Sequence, residues 1–252
     1  MRPFPAHATL ARIAALCALS LAVAACAKPG ASAPAAPAAP AIRSVLVFPL
    51  NIVAPMPTGL ESGAASVSEA LRNWLGAQGL AVAELPNAPA RAAWVAAAQA
   101  LREERGEQQM SFEGAASVLA RTLRRERDFD ALLLPWIALR PAKVRGRKVS
   151  WDGVSRTLRL VGGESKKTHF LLEDFSADAA APSLKVAVFA GDGAELFEGV
   201  GGLDVIHAIV VSGEPPKIGE QALPAAQIFS DHATLNEGIA LALAPLAKRG
   251  QP

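Results

Sequence analysis

The sequence predicts an α/β (α+β) domain: a single mixed β-sheet flanked by amphipathic helices, in the rough order β-α-β-α-α-β-β-β-β-α. Three observations carry this expectation. Residues 44–52, "SVLVFPLNI", form a near-continuous apolar run bounded by polar residues and proline, as in a strand buried on both faces. Several later segments repeat apolar residues at helical spacing and keep a charged opposite face. Gly191-Asp192-Gly193 sits between two further apolar runs, a strong hairpin signal because both glycines tolerate positive φ.

In chain order, residues 58–79 predict a helix. Thr58 with Glu61 and Ser66 with Glu69 have capping-box spacing, Val67, Leu71, Trp74 and Leu75 recur at helical intervals, and Gly79 stands where a C-cap glycine belongs. Leu80–Leu85 is a short strand. A second helix begins near Pro89 and carries Trp94, Ala98 and Leu101 on one face. After the polar break "RGEQQ", a third runs from Ser111 to about Arg127 on Phe112, Ala116, Leu119 and Leu123. Trp74 and Trp94, at helix-periodic positions, are expected in the core and not as ligand platforms.

Phe129–Leu139 reads as a central strand in which Pro135 places a bulge or an edge. Residues 148–161 read as one longer strand with a wet face. Residues 183–206 form the hairpin around Gly191–Gly193. A capping box at Thr234 with Glu237 opens the last helix, whose stripe of Leu235, Ile239, Ala242, Leu243 and Leu246 ends at Lys248, Arg249 and Gly250.

The amino terminus has its own logic. Arg2 and Arg12 precede an uncharged apolar run from Ile13 to Ala25, the basic start, apolar core and small-residue exit of a secretory signal. The run is too short to span about 30 Å of hydrocarbon, which takes about 20 helical residues. Residues 27–41, "AKPGASAPAAPAAPA", hold four prolines and no large apolar side chain, so they read as a partly extended linker. The expected organisation is therefore a cleaved signal at 1–25, Cys26 with its linker at 26–41, and a globular domain at 42–252.

Val23-Ala24-Ala25-Cys26 resembles the lipobox of bacterial lipoproteins. That resemblance implies cleavage before Cys26, a diacylglyceryl group on its sulfur, and an N-acyl chain added afterwards. Membrane attachment through the lipid on Cys26 follows. No aspartate succeeds the cysteine, so the same resemblance implies the outer membrane, with the domain facing the periplasm. The other reading is an ordinary cleavable signal in which Cys26 is only a small residue.

Cys17 and Cys26 are the two cysteines, and the first lies in the segment to be removed, so no internal disulfide is expected despite an oxidising compartment. Removing residues 1–25 takes away two arginines and no acid, which leaves 23 basic against 23 acidic residues. A formally neutral chain argues against a general nucleic-acid binder.

The element order resembles the small α/β domain shared by the amino-terminal domain of the Tol translocation protein B, the curli secretion channel lipoprotein and the lipoprotein activator of penicillin-binding proteins. The phrases that carry it are "VLVFPL" at 45–50, "FDALLLP" at 129–135 and the "GDGAELFEG" hairpin at 191–199. The segments 89–127 and 211–220 are longer than that pattern requires. The resemblance implies a periplasm-facing adaptor or assembly module without a cofactor.

His169, His207 and His232 have Asp204 and Asp231 nearby in sequence, but no His-Glu-x-x-His or paired cysteine spacing is present. No metal site and no catalytic residue are assigned. Ser165 lacks a lysine three residues on, and "GVGG" at 199–202 precedes no Walker signature, so hairpin and bulge glycines are expected there. The most suggestive surface feature is "RPAKVRGRKVSW". Arg140, Lys143, Arg145, Arg147, Lys148 and Trp151 form a candidate partner-binding set that suits lipid headgroups, an acidic partner or anionic envelope polymers. The plainer reading is a solvated loop whose cations protect a hairpin edge.

The expected function is that of a lipid-anchored envelope protein that binds or assembles another envelope component. The alternatives are an envelope hydrolase with a dispersed site and a carrier of a small apolar ligand.

Overall fold

In the computed structural model, which describes residues 41–162, 166–214 and 217–249, strand and helix alternate through the first half of the chain. Strand β1 (Ser44–Val47) leads to helix α1 (Ala64–Ala77), strand β2 (Ala81–Glu84), helices α2 (Asn87–Arg105) and α3 (Phe112–Glu126), and the long strand β3 (Ala131–Arg145). There follow β4 (Lys148–Trp151), β5 (Val154–Thr157), β6 (Leu160–Val161), helix α4 (Lys166–Glu173), β7 (Ser176–Ala190), β8 (Glu195–Gly202), β9 (His207–Ser212) and β10 (Lys217–Ala222). Helices α5 (His232–Ala242) and α6 (Ala244–Arg249) come last.

The α/β class is the one expected. The main sheet has seven strands, and its central order is β2-β1-β3-β7-β8. β1 lies parallel to both β2 and β3, so the chain steps outward through α1 and then returns past β1 through α2 and α3. β3 pairs with β7 along its whole length, from Ala131 opposite Ala190 to Arg145 opposite Ser176. On its other edge β1 covers only residues 131–133, and β4 takes over at residues 143–145.

Alternation in β1 explains the continuous apolar run. Val45 and Val47 join a core with Leu71 and Leu75 of α1 and Ile239 of α5, whereas Leu46 joins a second core with Ala97 of α2 and Leu119 and Leu123 of α3. Both faces of the strand are therefore dry. Trp74 packs against the first core and Trp94 against the second.

Pro135 sits on an edge and makes no bulge. Its pairing with Val186 is in register, and its missing N–H falls where β1 has already ended. Helix α3 starts as expected, with the Ser111 hydroxyl accepting from Gly114 N at 3.0 Å. Gly79 closes α1 with φ +76°, a conformation that favours glycine.

Several local expectations are corrected. The single strand expected over 148–161 is a hairpin, because Asp152 and Gly153 take φ 35° and 84°, the positive angles that a two-residue Asp-Gly turn favours. The sheet is not the only one: β6, β9 and β10 make a three-stranded sheet, β6 parallel and β10 antiparallel to β9. It covers a third core with Val144, Val149, Trp151 and Leu158.

Neither early capping box is used, since α1 begins after Gly63 without a side-chain cap. At the other end Asp231, not Thr234, caps α5, accepting from Ala233 N at 2.9 Å and from the Thr234 hydroxyl at 2.7 Å. Glu237 instead meets Arg156 at 2.6 Å. The final helix breaks at Leu243, just before Ala244 and Pro245.

Candidate functional site

Three prolines mark one end of the parallel strands. Pro49 and Pro86 each stand two residues beyond the last residue of β1 and β2, and Pro135 lies in β3 at the level where β1 stops. Between them opens a crevice of about 190 Å³, with Val47, Phe48, Leu71 and Leu85 among its lining side chains. Carboxyl ends of parallel strands at the point where the strand order reverses are the usual place for a binding crevice in an open α/β sheet.

Asn51 holds one side of this region. Its backbone is left-handed, with φ 58°, and its N–H donates to Pro135 O at 3.1 Å. Its side chain then acts as a surrogate peptide: Oδ1 accepts from Ile137 N at 3.0 Å and Nδ2 donates to Ile137 O at 3.1 Å and Pro55 O at 3.2 Å. The ladder that β1 leaves unfinished is thus completed by one amide.

The polar side chains of the lining are Ser68, Arg72, Glu84 and Asn87. Arg72 Nε donates to Glu84 Oε1 at 2.9 Å at the mouth of the crevice, and both side chains are about half exposed. The hydrogen bond to Glu84, and then its charge, hold the Arg72 guanidinium above its ordinary pKa. The two charges satisfy each other, so the site offers an apolar floor with an oriented dipole at its rim and suits shape recognition.

The sequence-predicted site residues do not stay together. Arg140 Nε donates to Asp152 Oδ2 at 3.2 Å, which also accepts from the buried Ser183 hydroxyl at 2.7 Å. Lys143 pairs with Asp178 across the β3–β7 ladder at 2.5 Å. Arg145 and Lys148 stand opposite each other at the hairpin tip, with Arg147 in the turn between them. Trp151 is a correction: it is 5% exposed in the third core, and its indole N–H donates to Pro182 O at 3.3 Å, so it offers no surface to a partner. Cys26 and Ser165 lie outside the described residues.

His169 lies within α4, His207 opens β9 and His232 opens α5. Among the described residues no group of three or more His, Cys, Asp or Glu side chains is placed to hold a metal ion. His207 lines a second, apolar crevice between the small sheet and the third core, but that space is about 20 Å³, room for about one water.

The "GVGG" glycines are neither phosphate cradle nor bulge. A Cβ on Gly199 would stand 1.8 Å from Ala242 O, and one on Gly202 would run into the Val154 and Trp151 side chains. Gly199 and Gly201 are the bed on which α5 lies, and Gly202 makes room for the β4–β5 hairpin.

Among the described residues no helix is long and apolar enough to cross a membrane. The sequence matches no protein-family model and no curated protein. The crevice and Asn51 escaped sequence reading because their parts come from four separate segments. The prolines just after β1 and β2 and the one within β3 were the available signal.

Proposed function

We propose that the protein is a lipid-anchored cell-envelope protein whose α/β domain binds another envelope protein in the crevice at the ends of β1 and β2, beside Pro135 of β3. The observation that carries the binding role is the crevice itself: an apolar floor walled by Pro49, Pro86 and Pro135, with the Arg72–Glu84 pair at its mouth. Apolar depth with a polar rim is the anatomy of a protein-binding patch. Its size suits one or two protruding apolar side chains of a partner. The carrier reading has less support, because a drug-sized ligand needs about 300 Å³ or more and the apolar crevice beside His207 is about 20 Å³.

The tether rests on Val23–Cys26 and on the proline-rich residues 27–41. Crosslinking in intact cells from a photoreactive residue at Glu84 tests the binding role. A captured envelope protein is expected, and Ser68→Trp, which fills the crevice, should abolish its capture. Capture that survives Ser68→Trp, or no reproducible capture, overturns the role. For the tether, Cys26→Ser is expected to abolish lipid labelling and release the protein from membranes; unchanged labelling overturns it.

A further inference from the structure

The β3–β4 hairpin ends with Arg145 directly opposite Lys148. Like charges at opposite positions repel, and neither side chain has a hydrogen bond or ion pair among the described residues. Arg140 and Lys143, farther back on the same strand, are each paired with an aspartate. The two cations that flank the turn therefore keep their charge available.

Helix α4 lies against this tip. Gly146 N donates to Phe175 O at 2.8 Å, and Leu172 is buried in the third core. Phe170 is two residues earlier, about 200° round the helix from Leu172, and so faces away from the core. It is 71% exposed, the most exposed of the large apolar side chains described, and Val161, at the other end of the segment leading into α4, is 37% exposed. Charge is distributed accordingly. Residues 140–178 hold nine cations against five acids, net +4, within a 26–252 segment that holds 23 of each, so the remainder carries −4.

We propose that this end of the domain rests on a bilayer containing anionic phospholipid, with Phe170 among the headgroups and Arg145 and Lys148 on their phosphates. An apolar anchor beside unpaired cations is what interfacial attachment requires. A lone aromatic on a charged surface suits a fluid headgroup layer, whereas a protein partner meets a broader patch with an apolar centre. The inference rests on the envelope placement proposed above.

The tether permits the contact. Ser44 lies beside Asp130, one residue ahead of β3, with its N–H donating to Asp130 Oδ2 at 2.9 Å. The hairpin tip is at the other end of that strand, at most about 46 Å away at about 3.3 Å per residue. Residues 27–41 reach about 45 Å when extended, so a lipid on Cys26 and the hairpin tip can meet the same membrane surface.

The test uses residues 26–252, the expected mature chain, carrying Cys26→Ser so that neither the apolar amino-terminal run nor a lipid is present, in co-sedimentation with phosphatidylcholine vesicles with and without phosphatidylglycerol. Binding is expected only to the vesicles with phosphatidylglycerol and is expected to fall as salt rises. Arg145→Gln with Lys148→Gln should lower it about 25-fold, since each cation near an anionic surface contributes about fivefold. Phe170→Ala should lower it about tenfold. All three side chains are exposed, so the circular dichroism of these variants should match the parent.

Equal sedimentation with both vesicle types, or variants that bind like the parent, overturns the proposal. So does binding to polyglutamate without binding to vesicles, which assigns the patch to an acidic polymer. Because the vesicle assay needs no lipid on Cys26, its failure is distinguishable from failure of the tether, which lipid labelling reads separately.

Discussion

A Cβ on Gly201 would stand 2.0 Å from the carbonyl oxygen of Gly238, and one on Gly238 would stand 2.2 Å from the carbonyl oxygen of Gly202. Helix α5 therefore lies with its backbone directly on β8, with no side chain between them. Gly201→Ala must lever the helix away from the sheet and is expected to cost about 2–4 kcal/mol. Gly219, in β10, has nothing within 4 Å of its would-be Cβ, so Gly219→Ala should stay within about 0.5 kcal/mol of the parent. Urea midpoints of the two variants check the pair.

Asn51→Ala removes the amide that completes the β3 edge and leaves Ile137 N and O without the partners they have at 3.0 and 3.1 Å. A loss of about 2–3 kcal/mol is expected. Asn51→Gly should be the milder substitution, because glycine accepts φ 58° without strain. The two are compared by thermal unfolding.

Trp151 and Arg145, neighbours in the basic segment, are expected to part company on truncation. Trp151→Ala empties a site that is 5% exposed and should cost about 3–5 kcal/mol. Arg145→Ala touches only solvent and should change stability by no more than about 0.5 kcal/mol. Similar costs for both would place Arg145 in the fold and not on its surface.

Two aspartates give stability opposite dependences on pH. Burial alone would raise the Asp130 carboxyl, but the N–H groups of Arg43 and Ser44 and the Ser44 hydroxyl outweigh it and hold the pKa below the ordinary value. Its contribution is present above the unfolded carboxylate pKa and is lost as pH falls through the lower folded value. Burial raises Asp204 above its ordinary value, partly opposed by hydrogen bonds from Phe229 N and Val205 N and by the Arg156 charge. Above its raised pKa the ionised carboxylate costs stability, and that cost disappears as pH falls through that value. Urea unfolding across this range should show Asp204→Asn flattening the profile on the neutral side and Asp130→Asn flattening it on the acid side.

Legibility in the sequence followed how local each cause is. The stripe of α3 and the Gly191–Gly193 turn are written within single segments and form where their residues predict, whereas of the apolar run expected as a strand over residues 44–52 only Ser44–Val47 pairs. The Asp152-Gly153 hairpin was equally local, but the polar residues around it also fit one wet strand. The second sheet was not legible, because Leu160 and Val161 become a strand only by pairing with Ile209 and Val210 about fifty residues on. Asp231 displaced Thr234 as cap because both are capping residues three positions apart, and only the geometry selects between them. Of the basic set, Lys143, Arg145 and Lys148 are exposed and Arg140 and Arg147 are half-buried, while burial of Trp151 depended on strands that close over it from elsewhere.

The place of β1 in the sheet has a mechanical consequence. The proposed tether enters at its first residue, where Asp130 grips Arg43 N and Ser44 N, and the crevice opens at its last. A pull between a bound partner and the membrane would then run along the axis of the strand. Four residue pairs to β2 and three to β3 lie across that line, so they would bear the load together in shear and not peel open one at a time.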